Sequence, residues 1–143
     1  MFRRIYLGTA AALGGGSLAN GSYMLIAPQR WYVAVPGVTT TGPFNQHFLR
    51  GIGVVFLFTG AAFLVGAARP VHRLALWGTA SLALFGYALF HLSEVAAGMC
   101  GPSAILWAFP AVTLPAATGA VLALSATRIN VQGWGQPAKG PGR

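Results

Sequence analysis

The sequence predicts an all-α protein, a membrane-spanning antiparallel four-helix bundle with both termini cytoplasmic. Three observations carry this. Of 143 residues, 55% are hydrophobic and only 7% charged, whereas a soluble domain is about a quarter charged. Four stretches are mostly apolar and long enough to cross a lipid core of about 30 Å at about 1.5 Å per helical residue. The basic residues, finally, fall unequally on the two sides of those stretches. The net charge of +8 and isoelectric point near 11.3 arise from the single acid rather than from a basic stripe, which argues against nucleic-acid binding. One cysteine excludes an intrachain disulfide framework.

The first expected span covers residues 5–27. Arg3, Arg4 and the small residues from Ser17 to Ser22 would also suit a secretory leader, but the apolar run exceeds a signal core, so a retained helix is expected. Two rows of small residues, Ala11–Gly15–Ala19 and Gly8–Ala12–Gly16, permit close helix approach. The second span, 43–68, opens at Gly42-Pro43, a favourable first helical position for proline, and contributes Gly53 and Gly60. The third, 74–98, follows the Arg69-Pro70 turn and offers Ala75, Thr79 and Ala83 as its small face. The fourth, 103–126, follows Gly101-Pro102; Pro110 and Pro115 within it free the carbonyls of Leu106 and Ala111 and predict a kink. Residues 1–127 thus form one transmembrane domain, and 128–143 a polar, disordered tail. Trp31 and Tyr32 suit an outer aromatic belt, Trp77 and Trp134 an inner one.

Arg3, Arg4, Arg69, Arg73, Arg128, Lys139 and Arg143 lie on one side of these spans, and Arg30 and Arg50 on the other. The positive-inside rule assigns the richer side, with both termini, to the cytoplasm. Residues 28–45 and 98–103 then face outward, with Cys100 in a charge-free turn.

Polar side chains within spans are costly and point to function. Asn45, His47 and Arg50 occupy the outer turns of the second span, and Tyr87, His91 and Glu94 those of the third; Asn20 and Tyr23 lie at similar depth on the first. Spacings of three and four residues put each set on one helix face. Glu94 is the only acid, and an Arg50–Glu94 contact between the second and third spans is predicted, because a carboxylate at that depth needs a partner. Three chemistries suit the cluster beside a purely structural role. His47 and His91, with Glu94, are candidate ligands for a metal or haem. A quinone would find His and Tyr donors with Phe44, Phe48 and Phe90 around its ring. His and Glu can also exchange protons near neutral pH.

The run Pro36-Gly37-Val38-Thr39-Thr40-Thr41-Gly42-Pro43-Phe44-Asn45-Gln46-His47-Phe48-Leu49-Arg50, with His91-Leu92-Ser93-Glu94, resembles a group of small bacterial four-helix membrane proteins similar to the DoxX-type proteins. That group carries Gly-Pro-Phe-Asn-x-His-Phe before Arg-Asp; here Gly51 replaces the Asp. The resemblance spans about residues 5–125 and implies the fold and a multi-pass place in the bacterial inner membrane. DoxX-type proteins are associated with quinone-linked redox complexes. The expected function is an accessory or interaction subunit, partnered by the bilayer and by other integral membrane proteins or copies of itself. The alternative is a quinone-, haem- or metal-binding redox-associated protein using Asn45, His47, Arg50, Tyr87, His91 and Glu94.

Overall fold

A computed structural model describes residues 2–99, 106 and 109–134, with side chains for 4–99, 106 and 110–127. The described chain is all-helical, with α1 (Phe2–Ile26), α2 (Pro28–Ala34), α3 (Gln46–Ala68), α4 (Arg73–Ala96) and α5 (Leu114–Trp134). Single turns of 3₁₀-helix lie at Val38–Thr40 and Pro70–His72, and a π-helical turn, Phe109–Thr113, precedes α5.

Among the described residues three helical segments are long and apolar enough to cross a membrane: Gln46–Ala68, Pro70–Ala96 and Pro110–Thr127. The first expected span forms a 25-residue helix but is not among them. Its glycines, serines and Asn20 make it small-faced rather than strongly apolar.

Those small residues set the packing, although not in the rows expected. Gly14 faces Gly60 and Gly21 faces Gly53, which fixes α1 and α3 as antiparallel neighbours. A Cβ on Gly60 would lie 2.6 Å from the Gly14 carbonyl oxygen, and one on Gly21 2.6 Å from that of Gly53. Gly8, Gly15 and Gly16 have open space where a Cβ would stand, so the predicted rows are not the α1–α3 seam. The seam uses glycines seven apart, two helical turns, on both helices.

From there α3 packs on α4, α4 on α5, and α5 returns to α1, where the Tyr6 hydroxyl donates to the Leu122 carbonyl at 3.3 Å. The core contains Ala10, Phe63, Trp77, Leu84, Ala116 and Leu122. Trp77 is fully buried, donates its indole N–H to the Phe63 carbonyl at 3.0 Å, and meets Tyr6 edge-on at 4.9 Å between ring centres. It is therefore a core residue, not part of an inner aromatic belt. Gly66 makes room for it, since a Cβ there would stand 2.4 Å from the indole nitrogen.

Three helix ends show specific solutions for their unpaired backbone groups. At the end of α3, buried Arg73 donates to the carbonyls of Gly66 (2.9 Å) and Ala67 (3.0 Å) while its guanidinium lies 5.2 Å from the centre of the Trp77 ring. A cation at a helix C-terminus meets the negative end of the dipole. Read from sequence as a loop base, Arg73 is instead built into the fold. At the start of α3 the Asn45 side chain accepts from the Phe48 N–H at 3.0 Å. The helix thus opens at Gln46, behind an N-cap, rather than at Pro43. Helix α4 ends with Gly98 in the left-handed region (φ 72°), the Met99 N–H on the Glu94 carbonyl and the Gly98 N–H on that of Val95, a reverse turn that glycine permits.

Between α1 and α2 the chain bends at Ala27-Pro28 and folds back. The Trp31 indole N–H donates to the Asn20 side-chain oxygen at 2.8 Å, and its ring joins Met24 and Leu49 in a second small core. Trp31 therefore departs from the outer-belt expectation: a polar amide within α1 draws the indole inward.

The expected irregularity in the fourth span takes the form of the π-helical turn at Phe109–Thr113, which contains Pro110. Pro115 lies one residue into α5, which continues the π-helical turn without a break. Helix α5 continues to Trp134, into the stretch expected to be a disordered tail. Cys100, the Gly101-Pro102 turn, the start of the fourth span, the Trp134 side chain and the chain beyond 134 lie outside the described residues.

Candidate functional site

The helices and the 27–45 connection border a partly open cavity of about 750 Å³. Leu13, Gly16, Ser17, Asn20 and Met24 of α1 form one wall, Leu49, Ile52 and Phe56 of α3 a second, Tyr87, Ala88, His91 and Glu94 of α4 a third. Ala111, Val112 and Thr113 of the π-helical turn, with Pro115 of α5, complete the sides. Trp31, Tyr32, Val38 and Phe44 of the connection close one end, held there by the Tyr32 hydroxyl, which donates to the Gly42 carbonyl at 2.5 Å. The lining is predominantly apolar; Ser17, Asn20, Thr41, Asn45 and Thr113 contribute neutral polar groups, and the ionisable His91 and Glu94 lie with Tyr87 on α4.

On that face Tyr87, His91 and Glu94 stack along successive turns. His91 Nδ1 stands 3.5 Å from Glu94 Oε2, the side chains being 26% and 15% exposed. The His91 ring meets the Tyr87 ring edge-on at 4.7 Å between centres and Phe90 at 5.8 Å. Phe56 of α3 meets Tyr87 in turn at 5.9 Å. His91 Nε2 is shielded and has no hydrogen-bond partner. The carboxylate sits in the last turn of α4, at the negative end of the helix dipole. Local helix stability therefore gives no reason for an acid there.

The six residues expected to form one site divide. Tyr87, His91, Glu94 and Asn45 line the cavity; His47 and Arg50 do not. His47 is exposed in the first turn of α3. The predicted Arg50–Glu94 contact is absent, because Arg50 Nε donates instead to the Leu25 carbonyl at 3.2 Å. The physical reason parallels that at Arg73: the last carbonyls of α1 lack helical partners next to Pro28, and a guanidinium on the adjoining helix satisfies one of them. Among the described residues no three His, Cys, Asp or Glu side chains come together as a metal set, so His47, His91 and Glu94 do not converge on one ion. Of the two histidines only His91 borders the cavity, which leaves a paired axial ligation of haem without geometric support.

Asn45 has a structural duty as N-cap. Asn45→Ala is expected to lower stability by about 0.5–2 kcal/mol, read as a drop in the thermal midpoint of the detergent-solubilised protein.

Sequence reasoning put Asn20 of α1 and Phe44 and Asn45 near the site, and all three line the cavity, but it missed the part played by Trp31, Tyr32 and Val38 of the connection. The available signal was Asn20, a lone amide in an apolar helix that needs a partner, with Trp31 in reach once the chain turns at Pro28. Comparisons with known proteins found no matching family model, curated protein or solved structure.

Proposed function

We propose that this chain is a multi-pass inner-membrane protein, an antiparallel four-helix bundle with both termini cytoplasmic, that binds a small, largely apolar molecule between its helices. The observation that carries the reading is the cavity, apolar over most of its lining, with Asn20, Asn45, Tyr87, His91 and Glu94 among its polar groups. Concave apolar chambers with a few convergent polar groups are the usual form of small-molecule sites, and helix bundles place them between facing helices. Exposed Phe58, Leu82, Val121 and Leu124 suit helices whose outer faces meet lipid.

The test is cavity filling. A Cβ on Gly16 meets nothing within 4 Å, and Gly16 borders the cavity. Gly16→Leu should therefore fold while occupying the chamber. Solvent extraction and mass spectrometry of gently purified protein should find a lipophilic molecule on the wild type and most of it lost from Gly16→Leu. Identical extracts from the two proteins would remove the reading.

A second reading, that of an accessory subunit, draws on α1. Ala11, Gly15 and Ala19 form an exposed small-residue row directed away from the fold. Such rows favour close packing against another membrane helix, from a larger complex or a second copy.

A further inference from the structure

We infer that the cavity takes a lipophilic cation, an amine, quaternary ammonium or phosphonium whose charge lies against Glu94 and whose apolar body lies among the aromatic rings. The inference rests on the cavity being a binding site, and adds the charge and class of its occupant.

The distribution of charge is the first ground. The chain carries nine Lys and Arg and one acid. The acid lines the cavity, and no Lys or Arg does among the described residues. A site for an anion, in so basic a chain, would have drawn on the abundant sign. The second ground is pairing. Glu94 is 85% enclosed by its surroundings when its 15% exposure is taken from the whole, and a carboxylate removed from water calls for a cation. Arg50 is committed to the Leu25 carbonyl and Arg73 to those of Gly66 and Ala67. Among the described residues the one side chain in ion-pair range of Glu94 is His91, at 3.5 Å. No Lys or Arg among the described residues is left to neutralise Glu94, so the cavity offers an occupant a carboxylate and no side chain of fixed positive charge.

The third ground selects the kind of cation. A small metal ion needs several hard ligands, and no three candidate ligands come together among the described residues. An organic cation gives up little hydration and gains from ring faces. Trp31, Tyr32, Phe44, Phe56, Tyr87 and Phe90 line this cavity. One carboxylate bordering an apolar chamber that these rings also line complements a charge buried within an apolar body.

Tetraphenylphosphonium and its isosteric anion, tetraphenylborate, provide the test by equilibrium binding to the detergent-solubilised full chain. The cation should bind saturably and the anion should not. Glu94→Gln should weaken cation binding by about thirtyfold or more, the size expected on removing one member of a desolvated charge pair, and Glu94→Asp should recover part of it. Equal binding of the two ions, or binding of the cation undiminished by Glu94→Gln, would overturn the inference. Since the two ions are compared on the wild-type protein, the result does not depend on the variant folding. Should neither ion bind while a short-chain ubiquinone analogue binds and is excluded by Gly16→Leu, the cation inference fails and the cavity reading stands.

Discussion

Gly60→Leu is expected to part α1 from α3 and to abolish the folded state at ordinary temperature. A Cβ at this position would stand 2.6 Å from the Gly14 carbonyl oxygen and 2.8 Å from the Leu18 backbone nitrogen. Both are main-chain atoms, so no rotamer change relieves the clash; one helix must move off the other. Overpacking a yielding core costs about 1–3 kcal/mol, and a side chain driven into opposing backbone should exceed that range. In lipid or detergent, close packing is a main source of helix association, so the lost contact is not replaced by general hydrophobic attraction. Gly15→Leu provides the comparison: nothing lies within 4 Å of its Cβ, and its effect should stay within about 0.5 kcal/mol, as for surface changes generally. Thermal unfolding of the two variants in detergent, followed by circular dichroism, should separate them widely. Equal midpoints would show that the Gly14–Gly60 and Gly21–Gly53 approaches do not hold the helices together.

Trp77→Ala should destabilise the protein by about 3–5 kcal/mol, the range for truncating a large buried aromatic side chain. The indole is fully buried, bonds the Phe63 carbonyl, and lies between Tyr6 and Phe63. It also backs the Arg73 guanidinium that caps α3. The two residues share one arrangement, so their effects should not add. With Trp77 already replaced, Arg73→Ala should cost less than it does in the intact protein, measured as midpoint shifts across the double-mutant cycle. Strict additivity would show that the guanidinium caps α3 without help from the ring.

Much of the architecture was legible because helices in an apolar medium follow simple rules. The second span was read to its last residue, Ala68, and the third to within a residue or two of α4, since length, apolarity and the Arg69-Pro70 turn act locally. The spacing of Tyr87, His91 and Glu94 likewise placed them together on one face of α4, and the structure carries all three into the cavity wall. Spacing along one helix needs no tertiary information.

Partnership between helices is a different matter. Arg50 and Glu94 were paired on charge and depth, yet two carbonyl-rich helix ends compete with the carboxylate for guanidinium groups, and Arg50 and Arg73 both go there. The small residues of α1 gave several equivalent rows, and only the approach of α3 selects Gly14 and Gly21. Trp31 and Trp77 have the composition of interfacial anchors, but Asn20 and the Phe63 carbonyl bind their N–H groups inside the fold.

Sequence alone determined the helical class, the breaks at Pro28 and Arg69-Pro70 and the residues of α4 that share a face, because hydropathy, proline and helical period operate within a few turns of chain. Tertiary structure decided which glycines touch, which cations cap which helices, and that the sole carboxylate borders a chamber lined by none of the described Lys or Arg. Those outcomes depend on the rotation and offset of one helix against another. Several arrangements satisfy the same local preferences, and the choice among them rests on contacts between residues far apart in the chain.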